Sequence, residues 1–181
     1  MKLNAKELRD VPAEEIQAAV NALKRVPLYL ILENVYDTYN IGGFFRLADA
    51  LAVEKIFLCG EMEIPPNHRI AKASIGTYKV VPWQYVSHID QAISELREKH
   101  EDISVYAVEQ DERSVPYSSL EYKLPCALIV GNETFGVTEE AKKLSDHIIE
   151  IPMWGINKSL NVIVSAAIVS YHVMEKTKSG V

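Results

Sequence analysis

Cysteine is scarce in this chain of 181 residues: Cys59 and Cys126 are the only two, and they lie far apart. Neither belongs to a CxxC pair or a Cys/His cluster, so no disulfide framework and no structural zinc site is expected. Long apolar runs are lacking as well. The most apolar stretch, residues 160–174, falls short of the ~20 residues a membrane span needs, and Asn161, Ser165 and Ser170 interrupt it. Residues 1–11 mix Lys2, Lys6, Glu7, Arg9 and Asp10 and contain no apolar signal core. A cytoplasmic, reduced protein with no membrane and no metal partner is the expectation. Gly/Ser linkers, low-complexity segments and internal repeats are also missing. Basic charge is in short supply: 19 Lys+Arg against 25 Asp+Glu leave a net charge of −6. Proteins that bind phosphate backbones usually carry a basic excess, so the total counts at first against nucleic acid.

What is present is ordinary globular material, 48% hydrophobic and 24% charged, enough for one domain with its own core. Apolar runs alternate with helical stretches. Pro12 with Glu14 and Glu15 opens a first helix reaching about Lys24. Residues 28–32 are apolar without interruption, the mark of a strand buried on both faces. A helix is expected over 41–51, a strand over 55–59, a short helix near Ala71 and a weak strand over 79–81. Residues 89–99 form an amphipathic helix with Ile89, Ile93 and Leu96 on one side. Strands follow at 105–108, 126–130 and 148–151. Thr138 caps a short helix to Leu144, and Ser159 caps a last helix to about Lys176. Strands alternating with helices imply an α/β fold with a mainly parallel sheet flanked by helices. Ligands of such sheets sit beyond the carboxyl ends of the strands.

Three segments stand just beyond strands. The first, residues 33–46, offers Asn40 as a helix N-cap and Gly42-Gly43 for close backbone approach. Arg46 follows one turn on. It either pairs with Asp49 three residues later or lines a crevice and meets an anion. The second is Gly131-Asn-Glu-Thr-Phe-Gly136, where two glycines bracket Glu133. It lacks the lysine of a phosphate-binding Walker loop, and no GxGxxG occurs in the chain. It is either a plain strand-to-helix turn or a site wall. The third runs over 151–162. There Asn161 stands at the head of a helix that is apolar nearly all round, as a polar plug or a site residue in need of partners. Such a helix is buried in the core or against a second subunit. The five histidines, His68, His88, His100, His147 and His172, are scattered without a matched nucleophile and read as surface or packed residues.

In their order and internal spacing these segments resemble the three motifs of the SpoU (TrmH-like) RNA 2′-O-ribose methyltransferases of the SPOUT superfamily. Asn34, Asp37-Thr-Tyr-Asn40-Ile-Gly42 and Arg46-Leu-Ala48 match the first motif, with Thr38 where the family usually has Pro. Gly131, Glu133 and Gly136 match the second. Ile151-Pro-Met-x-Gly155 and Ser159-Leu-Asn161-Val162 match the third, and 72–76 resembles an intermediate family element. The resemblance implies a C-terminal trefoil knot, a homodimer through the last helix, and S-adenosylmethionine held by the knot loops. It implies methyl transfer to a ribose 2′-hydroxyl of RNA, tRNA before rRNA. Arg46 would be the catalytic residue, contacting phosphate and the 2′-oxygen. Ser159 and Asn161 would orient it or the ribose, Asn40 would hold the substrate side and Glu133 would shape the site. Gly131, Ile151, Met153 and Leu160 would contact the cofactor, largely through backbone; Asn34, Arg69 and Lys72 would bind substrate. The methyltransferase domain would span 28–176, between an N-terminal helical extension over 1–27 and a short tail over 177–181. The alternatives are a catalytically inactive RNA-binding relative and a nucleotide-binding α/β module unrelated to RNA.

Placed along the chain, the acidic surplus loses its force. Residues 64–89 contain no Asp or Glu but do contain Arg69, Lys72 and Lys79; residues 151–174 are also acid-free. The acids gather in 90–112, in 133–150 and in the first helix. A basic face for RNA is compatible with a negative total.

Overall fold

The computed structural model describes residues 13–178. The expectations for residues 1–11, for Pro12 as helix opener and for 179–181 lie outside the described residues. The elements in chain order are α1 (Ala13–Ala22), β1 (Val26–Glu33), α2 (Thr38–Ala50), β2 (Val53–Cys59) and α3 (His68–Ala73). Then follow β3 (Trp83–Val86), α4 (Ile89–Lys99), β4 (Ser104–Val108), β5 (Val115–Pro116), β6 (Cys126–Val130), α5 (Glu139–Leu144), β7 (His147–Glu150) and α6 (Val162–Lys178).

The seven strands form one sheet in the order β3-β2-β1-β6-β4-β7-β5, with every neighbouring pair parallel. The register places Leu30 beside Ile56 on one flank and Leu128 on the other. Alternate residues of β1 then serve different cores. Leu28, Leu30 and Leu32 pack with Phe44, Phe45, Ile70, Ala166 and Val169 from α2, α3 and α6. Tyr29 and Ile31 face the opposite layer, with Ile89, Ile93 and Leu96 of α4 and Ala141 of α5. This two-sided burial is why β1 carries an unbroken apolar run. Cys59 and Cys126 are buried free thiols, and burial pushes both up to about 12.

Four local expectations are corrected. Residues 79–81 are not a strand: Gly76 turns the chain at φ 95°, Thr77–Lys79 form a 3₁₀ turn, and the N–H groups of Val80 and Val81 return to the Thr77 carbonyl. The edge strand is β3, after Pro82. Helix α2 begins at Thr38, and Asp37 is its cap, accepting from the Tyr39 N–H at 2.7 Å; Asn40 lies inside the helix. Helix α6 begins at Val162, not after Ser159. Asn161 caps it, its Oδ1 accepting from the Ile163 N–H at 2.9 Å and its carbonyl from the Ser165 N–H. The same helix continues to Lys178, through the residues expected to open the tail. Strand β5 carried no sequence signal, being two exposed residues long.

Candidate functional site

The carboxyl ends of β1, β6 and β7 release the three segments singled out above, and parallel pairing brings those ends together. After β1 the chain turns at Asn34, which adopts φ 52° while its Oδ1 accepts from the Glu61 N–H. After β6, Asn132 and Gly136 exchange both backbone hydrogen bonds. That closes a tight loop in which Gly131 lies so near the Gly136 backbone that no side chain would fit. Asn132 accepts from the N–H groups of Thr134 and Phe135 and donates to the Asn34 carbonyl, tying the second segment to the first.

A run of polar side chains then crosses all three segments. The Glu133 carboxylate accepts from the Tyr36 and Asp37 N–H groups, each at 3.1 Å, and from Asn40 Nδ2 at 2.9 Å. Asn40 Oδ1 in turn accepts from Asn161 Nδ2 at 3.0 Å. Burial alone would push the Glu133 carboxyl up. The bonds from Asn40 and from the N–H groups of Glu133 itself, Tyr36 and Asp37 outweigh it and hold the group below its ordinary value. Asn161 therefore has its partner, and it serves as helix cap and cross-link at once.

Beside this run lies a cavity of about 610 Å³ at the ends of β4, β6 and β7. Gly131, Glu133, Ile151, Met153, Ser159, Leu160 and Asn161 all line it, so seven of the residues expected at the site converge. Among the described residues, Met153 and Leu160 make no backbone hydrogen bond, which leaves their peptide groups for a ligand. Ile151, Met153 and Leu160 add apolar contact.

The remaining expected residues lie elsewhere. Arg46 lines neither this cavity nor a second one at the ends of β1–β3. It is exposed on α2, one turn beyond Gly43, which packs against Ile163 of α6. The pairing with Asp49 is not found; Asp49 stands beside Arg25, whose guanidinium donates to the Val53 and Val80 carbonyls. Arg46 forms no hydrogen bond or ion pair among the described residues and is free to meet an anion. Asn34 lines the second cavity. Arg69 and Lys72 are exposed on α3, which packs so closely on α2 that Gly42 has no room for a side chain.

Residues the motifs did not mark also shape the site. Glu109 accepts from the Val137 N–H at 2.7 Å and fixes the end of the Gly131–Gly136 loop. Gln110 donates to the Lys158 carbonyl at 2.6 Å, joining the β4 loop to the third segment across the cavity. Glu33 binds the Thr138 N–H and hydroxyl. Asn132 lies between the glycines that bracket Glu133, a signal by which it could have been found; the sequence around 109–110 carries none. The histidines are surface residues or packed against tyrosines: His100 meets the Tyr29 hydroxyl at 2.7 Å, and His147 stacks on Tyr106. Among the described residues, no helix is long and apolar enough to cross a membrane and no group of three or more His, Cys, Asp or Glu could hold a metal ion.

With this geometry in hand, comparison with known proteins gives a consistent result. Residues 27–171 match the family model of the SpoU rRNA methylase family. The chain is 28% identical over 163 residues to the putative TrmH family tRNA/rRNA methyltransferase YacO of Bacillus subtilis (strain 168), covering 90% of this chain and 64% of that protein. The fold is similar to the TrmH/SpoU tRNA modifying enzyme of A. aeolicus, with TM-score 0.77, 25% identity, and 93% and 83% of the two chains covered. It is also similar to an AdoMet-bound rRNA methyltransferase from Sinorhizobium meliloti, with TM-score 0.76 and 25% identity over 93% of this chain and 59% of that one. The chain spans about three-fifths of the length of the curated relatives it matches.

Proposed function

The chain belongs to the SpoU rRNA methylase family, and on that premise we propose that it is an S-adenosylmethionine-dependent methyltransferase acting on a ribose 2′-hydroxyl of tRNA or rRNA. The observation that carries this reading is the hydrogen-bonded run from Glu133 through Asn40 to Asn161, which joins all three motifs at the rim of the 610 Å³ cavity.

The lining suits the cofactor. Met153 and Leu160 offer uncommitted backbone groups, Ile151 offers apolar surface, and the Gly131–Gly136 turn keeps the floor clear. S-adenosylmethionine would supply a methyl group activated on a sulfonium. The chain's own task is to place a weak nucleophile in line and relieve it of a proton. Asn40 and Asn161, each fixed by the other, present a rigid polar edge to the ribose. Glu133 holds the first motif in place through two peptide N–H groups. A guanidinium offers hydrogen-bond donors and no acceptor, so Arg46 is not assigned the role of base. It binds the RNA phosphate and stabilises charge developing on the 2′-oxygen, while a phosphate oxygen or water takes the proton. Ser159, at the cavity wall, orients the ribose or the guanidinium. Asn34, Arg69 and Lys72 contact the RNA outside the cavity.

A homodimer through α6 belongs to the same reading. Ala166, Val169, Ser170 and Val173 face the core, while Val164 and Tyr171 expose 44% and 53% of their surface on the other side. The trefoil knot is also proposed. It is supported by the return of the 151–161 segment to Asn40 after β7 has paired beyond β4. Two buried free thiols support a reducing, cytoplasmic location.

The test is transfer of a radiolabelled methyl group to RNA from a strain lacking the protein, followed by mapping of the 2′-O-methyl site. Arg46→Ala is expected to lower turnover by about 10³-fold and leave cofactor affinity unchanged by calorimetry. Near-normal methylation by that variant would overturn the assignment.

A further inference from the structure

The second cavity, about 890 Å³, lies at the carboxyl ends of β1, β2 and β3. Asn132, Phe135 and Gly136 line both cavities, so the two open side by side. The new one has two kinds of wall. Tyr36, Tyr85 and Phe135 are 53%, 44% and 85% exposed and offer aromatic surface. Tyr36 is held in position because its N–H donates to Glu133. Opposite in character are Glu61 and Glu140, whose carboxylates form no ion pair among the described residues. Lys142 on the same wall is already engaged by Asp111 and Glu139, Glu33 is engaged by Thr138, and His88 is the other ionisable group of basic type.

This chemistry rejects one ligand and suits another. A phosphate finds no free lysine or arginine here and meets two carboxylates. A flat ring with N–H donors on its edge meets both walls, its face on tyrosine and its donors on the carboxylates. Stacking on aromatic side chains is how proteins hold unstacked bases, and a carboxylate accepts from an exocyclic amino group. Resting on the RNA reading above, we propose that the second cavity seats a nucleobase of the substrate, unstacked beside the methylated ribose. The base is one with an amino group (adenine, cytosine or guanine), not uracil. Its phosphates stay outside, towards Arg46 and α3.

The test uses fluorescein-labelled hexaribonucleotides of adenosine, cytidine and uridine, with binding to the full chain read by fluorescence anisotropy. The adenosine and cytidine oligomers are expected to bind about ten-fold more tightly than the uridine oligomer. Tyr85→Leu is expected to weaken the first two by about ten-fold, Tyr85→Phe to restore them, and Glu61→Gln to bring the adenosine-to-uridine ratio close to one. S-adenosylmethionine affinity, measured by calorimetry, stays unchanged in all three variants. Equal affinity of the wild type for the three oligomers, wild-type binding by Tyr85→Leu, or a loss of cofactor affinity in that variant would each overturn the proposal. Failure of the wild type to methylate any tRNA or rRNA would instead sink the methyltransferase reading, and the oligomer affinities would still decide the pocket.

Discussion

Glu133 and Asn161 do double duty, and their two roles can be separated by substitution. The Glu133 carboxyl is held below its ordinary value of 4.5 because hydrogen bonds to the charged form outweigh burial. A lowered folded-state value means that its stabilising contribution is present above 4.5 and is lost as the pH falls through the folded value. Chemical unfolding across that range is expected to show Glu133→Gln less stable than wild type at neutral pH, with the two curves converging in acid. At Asn161 one oxygen caps α6 while the amide nitrogen reaches Asn40. Asn161→Ala loses both and is expected to cost about 1–2 kcal/mol of stability, together with methyl transfer. Asn161→Ser retains an oxygen for the cap but lacks the reach to Asn40, so it is expected to unfold close to wild type and still transfer methyl slowly. Parallel thermal melting and transfer assays on the pair check this.

Among the elements, α2 explains the one departure from the first motif. Thr38 occupies the first helical position, where a proline loses no hydrogen bond, and Asp37 before it is extended at φ −73°, ψ 113°. The family's proline therefore fits here. Thr38→Pro is expected to stabilise the fold by about 0.4–1 kcal/mol, seen as a rise in melting temperature with transfer activity retained. The sequence marked the major strands of the sheet because β1, β2, β4 and β6 are buried on both faces and read as apolar runs. It misplaced the starts of α2 and α6 because Asp37, Asn40, Ser159 and Asn161 are all residue types that cap helices. Asp37 takes the cap, and the Asn40 side chain is spent instead on contacts to Glu133 and Asn161. Residues 79–81 resemble a strand through their two valines, whereas their backbone groups are spent on a turn that Gly76 initiates. The site was legible where polar residues and glycines interrupt apolar surroundings, as at Glu133 and Asn161. Glu109 and Gln110 were not, since they act through the peptide groups of segments distant in sequence.

For the whole molecule, the α6 surface carries the next prediction. Val164 and Tyr171 are exposed on the side of α6 turned away from the core. In the dimer proposed above, Tyr171→Glu would place charges against each other at the two-fold contact. Light scattering coupled to gel filtration is expected to show a dimer for the wild type and a monomer for the variant, with melting temperature changed little. Discovery of an unaltered dimer would move the interface elsewhere. Finally, the polar run at the site has a consequence for synthesis on the ribosome. Asn40 bonds to residues 93 and 121 positions further on, so neither link can form early. An emerging chain can lay down β1 and α2 long before residue 161 leaves the exit tunnel, but until then α2 has no partner for Asn40 from the third segment. Any product of premature termination short of that point lacks both the Asn161 link to Asn40 and the cap of α6, so its site cannot be completed.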